Sequence, residues 1–394
     1  MASFKPFDMQ GIPMEEQFQS YNEAVKEPFD KNKVDAYTRT RVILMNGIEN
    51  NGMMTKHMID RMSDNNELKK ELALVRRVES LQQQMVNWLI PANETVLETT
   101  LGYEQVAVDL TANLAKNEEQ PYFKSVLDFA LIEDFDHLYR YANLAQVIGE
   151  GDPERIVQGK TEIKEGRPTR RHHRHPYDEM RKHYDNQDVS PKTKMNYFTI
   201  VSAEQQTMLF YKGHGMMYDN DLAKRLYFEI ADVEQQHVSQ YEMVGDPKAT
   251  PLEMNFLMEV NEAYNYYSCA QTEPDPRFKS FWENMCKMEI THVKMAGDML
   301  QKYEGKDPMK VLGGDTISPL IVFEPNKDYV NQIVEQQKDW GAYNMEFQPE
   351  AQMPKDWPTF SFRDIVNAGG APSDRVIEQA QGGKQRMTVS PTTR

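Results

Sequence analysis

One spacing constrains this chain more than any other. Glu49, Glu104, Glu204 and Glu259 are each followed, 30 residues later, by an acidic residue: Glu79, Asp134, Glu234 and Glu289 respectively. Three positions beyond those stand Gln82, His137, His237 and His292. On an α-helix, residues three apart project from one side, so each acidic residue and the residue after it face a common target. A separation of 30 carries the chain along one helix, round a turn and back, which brings the two acidic positions of a set to the same height on a helical hairpin. A lone E-x-x-H string is an ordinary solvated helix face. Three such strings and one near miss, in fixed register with four further Glu residues, are not.

The register extends beyond these positions. A gapless shift of 155 residues lays Asp64-Asn65 on Asp219-Asn220, Pro121 on Pro276 and Phe123-Lys124-Ser125 on Phe278-Lys279-Ser280. A shift of 55 relates the two sets within each half. Internal repeats of this kind decide the fold class. The prediction is an all-α chain whose main helices cover about 36–62, 66–89, 92–116, 122–148, 194–216, 221–244, 251–272 and 277–303, forming four hairpins in two tandem repeats. The expected organisation is a first repeat over 1–150, a basic, His-rich crossover over 151–192, a second repeat over 193–303 and a capping tail over 304–394. That tail has one helix near 327–340 and a disordered end from Gly382.

Composition narrows the function. With 45 Lys and Arg against 61 Asp and Glu, the net charge of −16 argues against a nucleic-acid grip. No apolar run approaches membrane length and the N-terminus lacks an apolar signal core, so a cytoplasmic protein without membrane association is expected. Cys269 and Cys286 form neither a C-x-x-C pair nor a disulfide framework. The 25 Met read as core filler. No phosphate-cradling Gly loop or nucleophile elbow is present.

Two facing hairpins would enclose four carboxylates and two imidazoles, and buried carboxylates repel strongly without positive charge. Two divalent cations would supply it. Mixed carboxylate and imidazole ligation suits iron or manganese better than calcium or structural zinc. The pattern resembles the ferritin-like di-iron carboxylate superfamily, including its rubrerythrin-like and oxygenase-like branches, whose sites take one Glu from each of two helices and an E-x-x-H from each of the other two. The resemblance implies iron, two to four ions per chain with manganese as the alternative, and an oxidoreductase that uses dioxygen or peroxide with an electron donor the sequence does not identify. A homo-oligomer is expected. The competing reading is a metal-storage or metal-binding scaffold without turnover, which the long tail disfavours because storage shells use bare bundles.

The long crossover favours pairing Glu104, Asp134 and His137 with Glu204, Glu234 and His237, leaving Glu49 and Glu79 to join Glu259, Glu289 and His292. Gln82 departs from the pattern as a poor ligand, and Asp134 is one methylene short; Glu133 could serve in its place, and Glu262 in place of Glu259. Tyr141 and Tyr241, one turn beyond ligand histidines, are redox candidates by resemblance to the ribonucleotide reductase small subunit, against a plain packing role. Arg170-Arg171-His172-His173-Arg174-His175, with His183, reads as a solvated loop. His57 and His214 read as structural.

Overall fold

Helix-stop and helix-start chemistry recurs along the chain and sets its architecture. Asn65 and Asn220 cap helices by accepting backbone N–H groups, and Thr95 with Glu98 and Thr250 with Glu253 form reciprocal capping boxes. Pro121, Pro191, Pro251 and Pro276 occupy first helical turns, where their missing N–H has no cost. The result, a computed structural model that describes residues 3–388 and side chains to residue 382, contains eight long helices. They pair in order: α1 (Ala36–Met62) with α2 (Asn66–Asn87), α3 (Val96–Asn117) with α4 (Pro121–Ile148), α5 (Pro191–His214) with α6 (Asp221–Glu242), and α7 (Pro251–Thr272) with α8 (Pro276–Glu304). The third helix begins later than the sequence suggests because Thr95 is its cap. The fifth begins earlier because Ser190 caps it and Pro191 opens it.

The helices fall into two layers. α1, α3, α5 and α7 form the centre, with α1 against α3, α5 and α7 and α5 against α3 and α7. α3 is buried at every residue from Leu97 through Ala115, the mark of a helix covered on all sides. The outer helices α2, α4, α6 and α8 each close one hairpin. α4 is itself covered, by α9 (Lys327–Gln337) and α11 (Pro372–Thr388), and α11 also rests on α6. Between them lie a two-stranded antiparallel hairpin, β1 (Trp340–Tyr343) and β2 (Glu346–Pro349), and α10 (Pro358–Val366). At the other end of the chain, Phe4 exchanges backbone hydrogen bonds of 2.9 Å with Ile317, tying the N-terminal segment along α7 and α8. No helix among the described residues is long and apolar enough to cross a membrane.

Two expectations are corrected. The crossover is not a solvated loop: Arg167, Thr169, His172, His173, Arg174 and Arg181 are buried. Its cations go inward because each finds a carboxylate or carbonyl to bond, which removes the cost of leaving water. The C-terminal end expected to be disordered continues α11 through Thr388, and residues 389–394 lie outside the described residues.

Candidate metal centre

The middle two hairpins bring six of the predicted residues into one chamber. Glu104 from α3, Asp134 and His137 from α4, Glu204 from α5, and Glu234 and His237 from α6 are all at most 1 % exposed. Ligand atoms of Asp134, Glu204, Glu234 and His237 lie within 4.8 Å of one another, as do those of Glu104, His137 and Glu234. Glu234 belongs to both groups.

The histidines are oriented from behind. His237 Nε2 donates to Glu133 Oε2 at 2.9 Å, so Nδ1 faces Glu234 at 3.1 Å and Asp134 at 3.3 Å. His172 Nε2 donates to the Arg167 carbonyl at 2.5 Å, leaving its Nδ1 to accept from His137 Nε2 at 3.1 Å. His137 therefore turns Nδ1 toward Glu234, 2.9 Å away. A hydrogen bond on one ring nitrogen that frees the other for a cation is how ligating histidines are held. Glu133 is not the alternative ligand its sequence position allows. Both oxygens are engaged by Arg174, at 2.7 and 2.8 Å, and one by Arg167 at 2.8 Å. Burial raises its carboxyl, but Arg174, His172, His237 and Arg167 outweigh that and hold it well below the usual range. Gly166 makes the approach of this strap feasible, because a Cβ there would stand 2.4 Å from the Ile132 carbonyl of α4.

The chamber has no fixed cation among the described residues; its positive charge comes from imidazole. Burial lowers His237, but Asp134, Glu133, Glu204 and Glu234 outweigh that and hold it well above its usual range. Glu104 Oε2 and both oxygens of Asp134 and of Glu204 have no hydrogen-bond partner, and among the described residues no lysine or arginine pairs with any of the four carboxylates. Burial, with the charges of Glu234 and Glu204, pushes Glu104 and Asp134 well above the carboxylate range, and burial lifts Glu204 to about 7. Glu234 feels the same burial, yet the imidazoles of His137 and His237 bring it down to about 2. Such carboxylates call for cations or protons. Tyr141 and Tyr241 are buried with unpartnered hydroxyls. The tyrosine that touches the cluster is instead Tyr211, whose hydroxyl donates to Glu104 at 2.5 Å. Tyr211 also lines an apolar surface pocket of about 360 Å³ with Gly215, Tyr227 and Phe228.

The outer two hairpins form a second cluster from Glu49, Glu79, Glu259, Glu289 and His292, joined by Glu262. Glu262 does not replace Glu259; both are present, and Glu262 fits because Gly52 leaves space that a Cβ would fill, 1.9 Å from Oε1. Gln82 donates to Glu289 at 2.5 Å, and His292 bonds Glu289 at 3.0 Å and Gln17 at 2.9 Å. Into this cluster comes a residue the sequence reading missed: Lys56, whose ammonium lies 2.5 Å from Glu79 and 2.6 Å from Glu259. The available signal was its place on α1, two turns beyond Glu49 and so on the same face. His172, Arg167 and Arg174 were missed because a basic run reads as solvated.

Fold and site thus define a mostly helical protein with two buried carboxylate–imidazole clusters. Comparison with protein-family models, with curated proteins and with solved structures finds no match to this chain.

Proposed function

We propose that the inner cluster is a dimetal centre, with iron as the preferred cation and manganese as the alternative, and that the protein is an oxidoreductase of the ferritin-like di-iron carboxylate kind. The observation that carries this is the set of buried, unpartnered oxygens on Glu104, Asp134 and Glu204 facing two imidazoles whose outward nitrogens are already engaged. The residues fit two cations: Glu104 and His137 on one side, Asp134, Glu204 and His237 on the other, Glu234 between them. When bound, such a pair supplies redox equivalents and open positions for dioxygen or peroxide. The chain's own residues do the rest. Glu133, held anionic by two arginines, and His172 fix the ligand rings; the crossover segment and the flanking helices exclude water; the Tyr211 hydroxyl donates to Glu104 Oε1 and orients that carboxylate.

The test is anaerobic metal loading followed by elemental analysis and oxygen uptake. The expected result is about two iron or manganese ions per chain and consumption of dioxygen or peroxide at a stoichiometry set by the centre until reductant is added. Less than about one ion per chain sinks the proposal. Uptake of hundreds of ions per assembly would favour storage instead.

A further inference from the structure

The outer cluster has the carboxylates of a dimetal centre but not its vacancy for charge. Lys56 is fully buried, and its ammonium spans Glu79 on α2 and Glu259 on α7, carboxylates from opposite hairpins. In register, Lys56 stands seven residues after Glu49, where Thr111 follows Glu104, Tyr211 follows Glu204 and Tyr266 follows Glu259. The two clusters share one half of this arrangement: Tyr211 donates to Glu104 in the inner cluster and Tyr266 to Glu49 in the outer, each at 2.5 Å. They differ in the other half. The inner cluster has Thr111, a short neutral side chain whose hydroxyl finds no partner, where the outer has a cation.

Glu289 and His292 are also engaged in the outer cluster, while Glu49 Oε2 and both oxygens of Glu262 make no hydrogen bond and those of Glu79 and Glu259 meet only Lys56. Glu289, which belongs to both candidate ligand groups, receives the Gln82 amide on one oxygen and His292 on the other. Behind His292 stands the neutral amide of Gln17, fixed by the Ile12 carbonyl at 2.8 Å, in place of the arginine-held carboxylate behind His237. The Gln82 amide nitrogen has no lone pair to offer a metal. Lys56 gives the outer cluster a fixed cation, and no lysine or arginine among the described residues does this for the inner one.

We infer that the outer cluster is a metal-free counterpart of the inner one, in which the Lys56 ammonium stands where a dication would, so that the chain holds one dimetal centre rather than two. The comparison with the inner cluster rests on the proposed function above, and the experiment separates the two. Apoprotein is titrated anaerobically with Co²⁺, followed by visible absorption and elemental analysis, for four forms of the full chain: wild type, Glu234→Ala, Lys56→Thr with Gln82→His, and that pair combined with Glu234→Ala. Expected are about two ions for wild type, none for Glu234→Ala, about four for the Lys56/Gln82 pair and about two for the triple variant. Wild type binding more than about two, or Glu234→Ala retaining about two, places metal in the outer cluster and overturns the inference. So does a Lys56/Gln82 pair that folds and gains none. If wild type binds no Co²⁺ and the pair gains about two, the inner-centre proposal fails while the inference stands. Should the paired variant fail to fold, the wild-type and Glu234→Ala stoichiometries still decide.

Discussion

The inner and outer clusters are built on the same hairpin plan and the same acidic register, yet of the two only the outer holds a buried lysine among the described residues. Four carboxylates in the inner chamber face two imidazoles and the Tyr211 hydroxyl, with no lysine or arginine among the described residues. Five in the outer chamber face Lys56 and His292. A buried carboxylate set does not by itself specify a metal; what specifies it is whether a side chain already neutralises the set. The histidines show the same division. Behind His237 is an anion clamped by two arginines, which strengthens it as a donor, whereas behind His292 is an amide.

The largest expected effect is on the inner side. His237→Ala and Glu234→Ala should each empty or cripple the inner centre, lowering metal from about two ions per chain toward none and abolishing oxygen consumption, because each removes a ligand whose partners stay buried. The contrast breaks if His292→Ala lowers metal content equally. Chelation should lower the melting temperature of wild type and leave Glu234→Ala unmoved, since a cation that binds only the folded state adds to its stability.

Next in size is Lys56→Met, which leaves Glu79 and Glu259 buried without their cation and should cost about 3–5 kcal/mol in denaturant unfolding at neutral pH. The sign of its pH dependence follows from the carboxylates left behind. Glu79, pushed by burial to about 8 even beside Lys56, holds its proton more tightly folded than unfolded. A group with a raised folded value stabilises at low pH and loses that contribution as pH rises through it. From this group the variant should therefore run parallel to wild type up to about pH 8 and fall further below it as pH rises beyond, where Glu79 can ionise beside Lys56 but not without it. A penalty independent of pH would show that Lys56 acts through packing alone.

Removing the anion behind the inner ligand is milder. Glu133→Gln should weaken metal binding by roughly 10–100-fold with the helical content retained, as loss of a partner to a ligating histidine does. Gln17→Ala, the outer equivalent, should leave metal content unchanged. Smallest are Tyr211→Phe and Tyr266→Phe, each removing one buried hydroxyl bond worth about 1 kcal/mol in thermal unfolding. Only the first should alter metal affinity.

Much of this was legible in the sequence. The Glu and E-x-x-H register marked the hairpins, and the length of the crossover indicated that the inner pair would face each other, because Glu104 and Glu204 can meet only if a long connection carries the chain across. What escaped detection was charge carried in from elsewhere. Lys56 is an ordinary helical lysine by type, and its role depends on Glu259 arriving from a hairpin some 200 residues away. Arg167, His172 and Arg174 were unreadable for the same reason: Glu133, the partner of both arginines, and His137, the partner of His172, lie on α4, and local polarity suggests water when the actual neighbours are buried side chains.

The nesting of the hairpins has a consequence for how the chain is made. The inner centre is assembled from residues 96–242, an unbroken stretch, while the outer cluster joins the first hairpin to the last. On a ribosome the first hairpin therefore emerges with Glu49 and Glu79 long before α7 and α8 exist to enclose them. Lys56 emerges on that same hairpin, within reach of Glu79 from the start. The part of the molecule that waits longest for its partner carries a counter-ion encoded beside it.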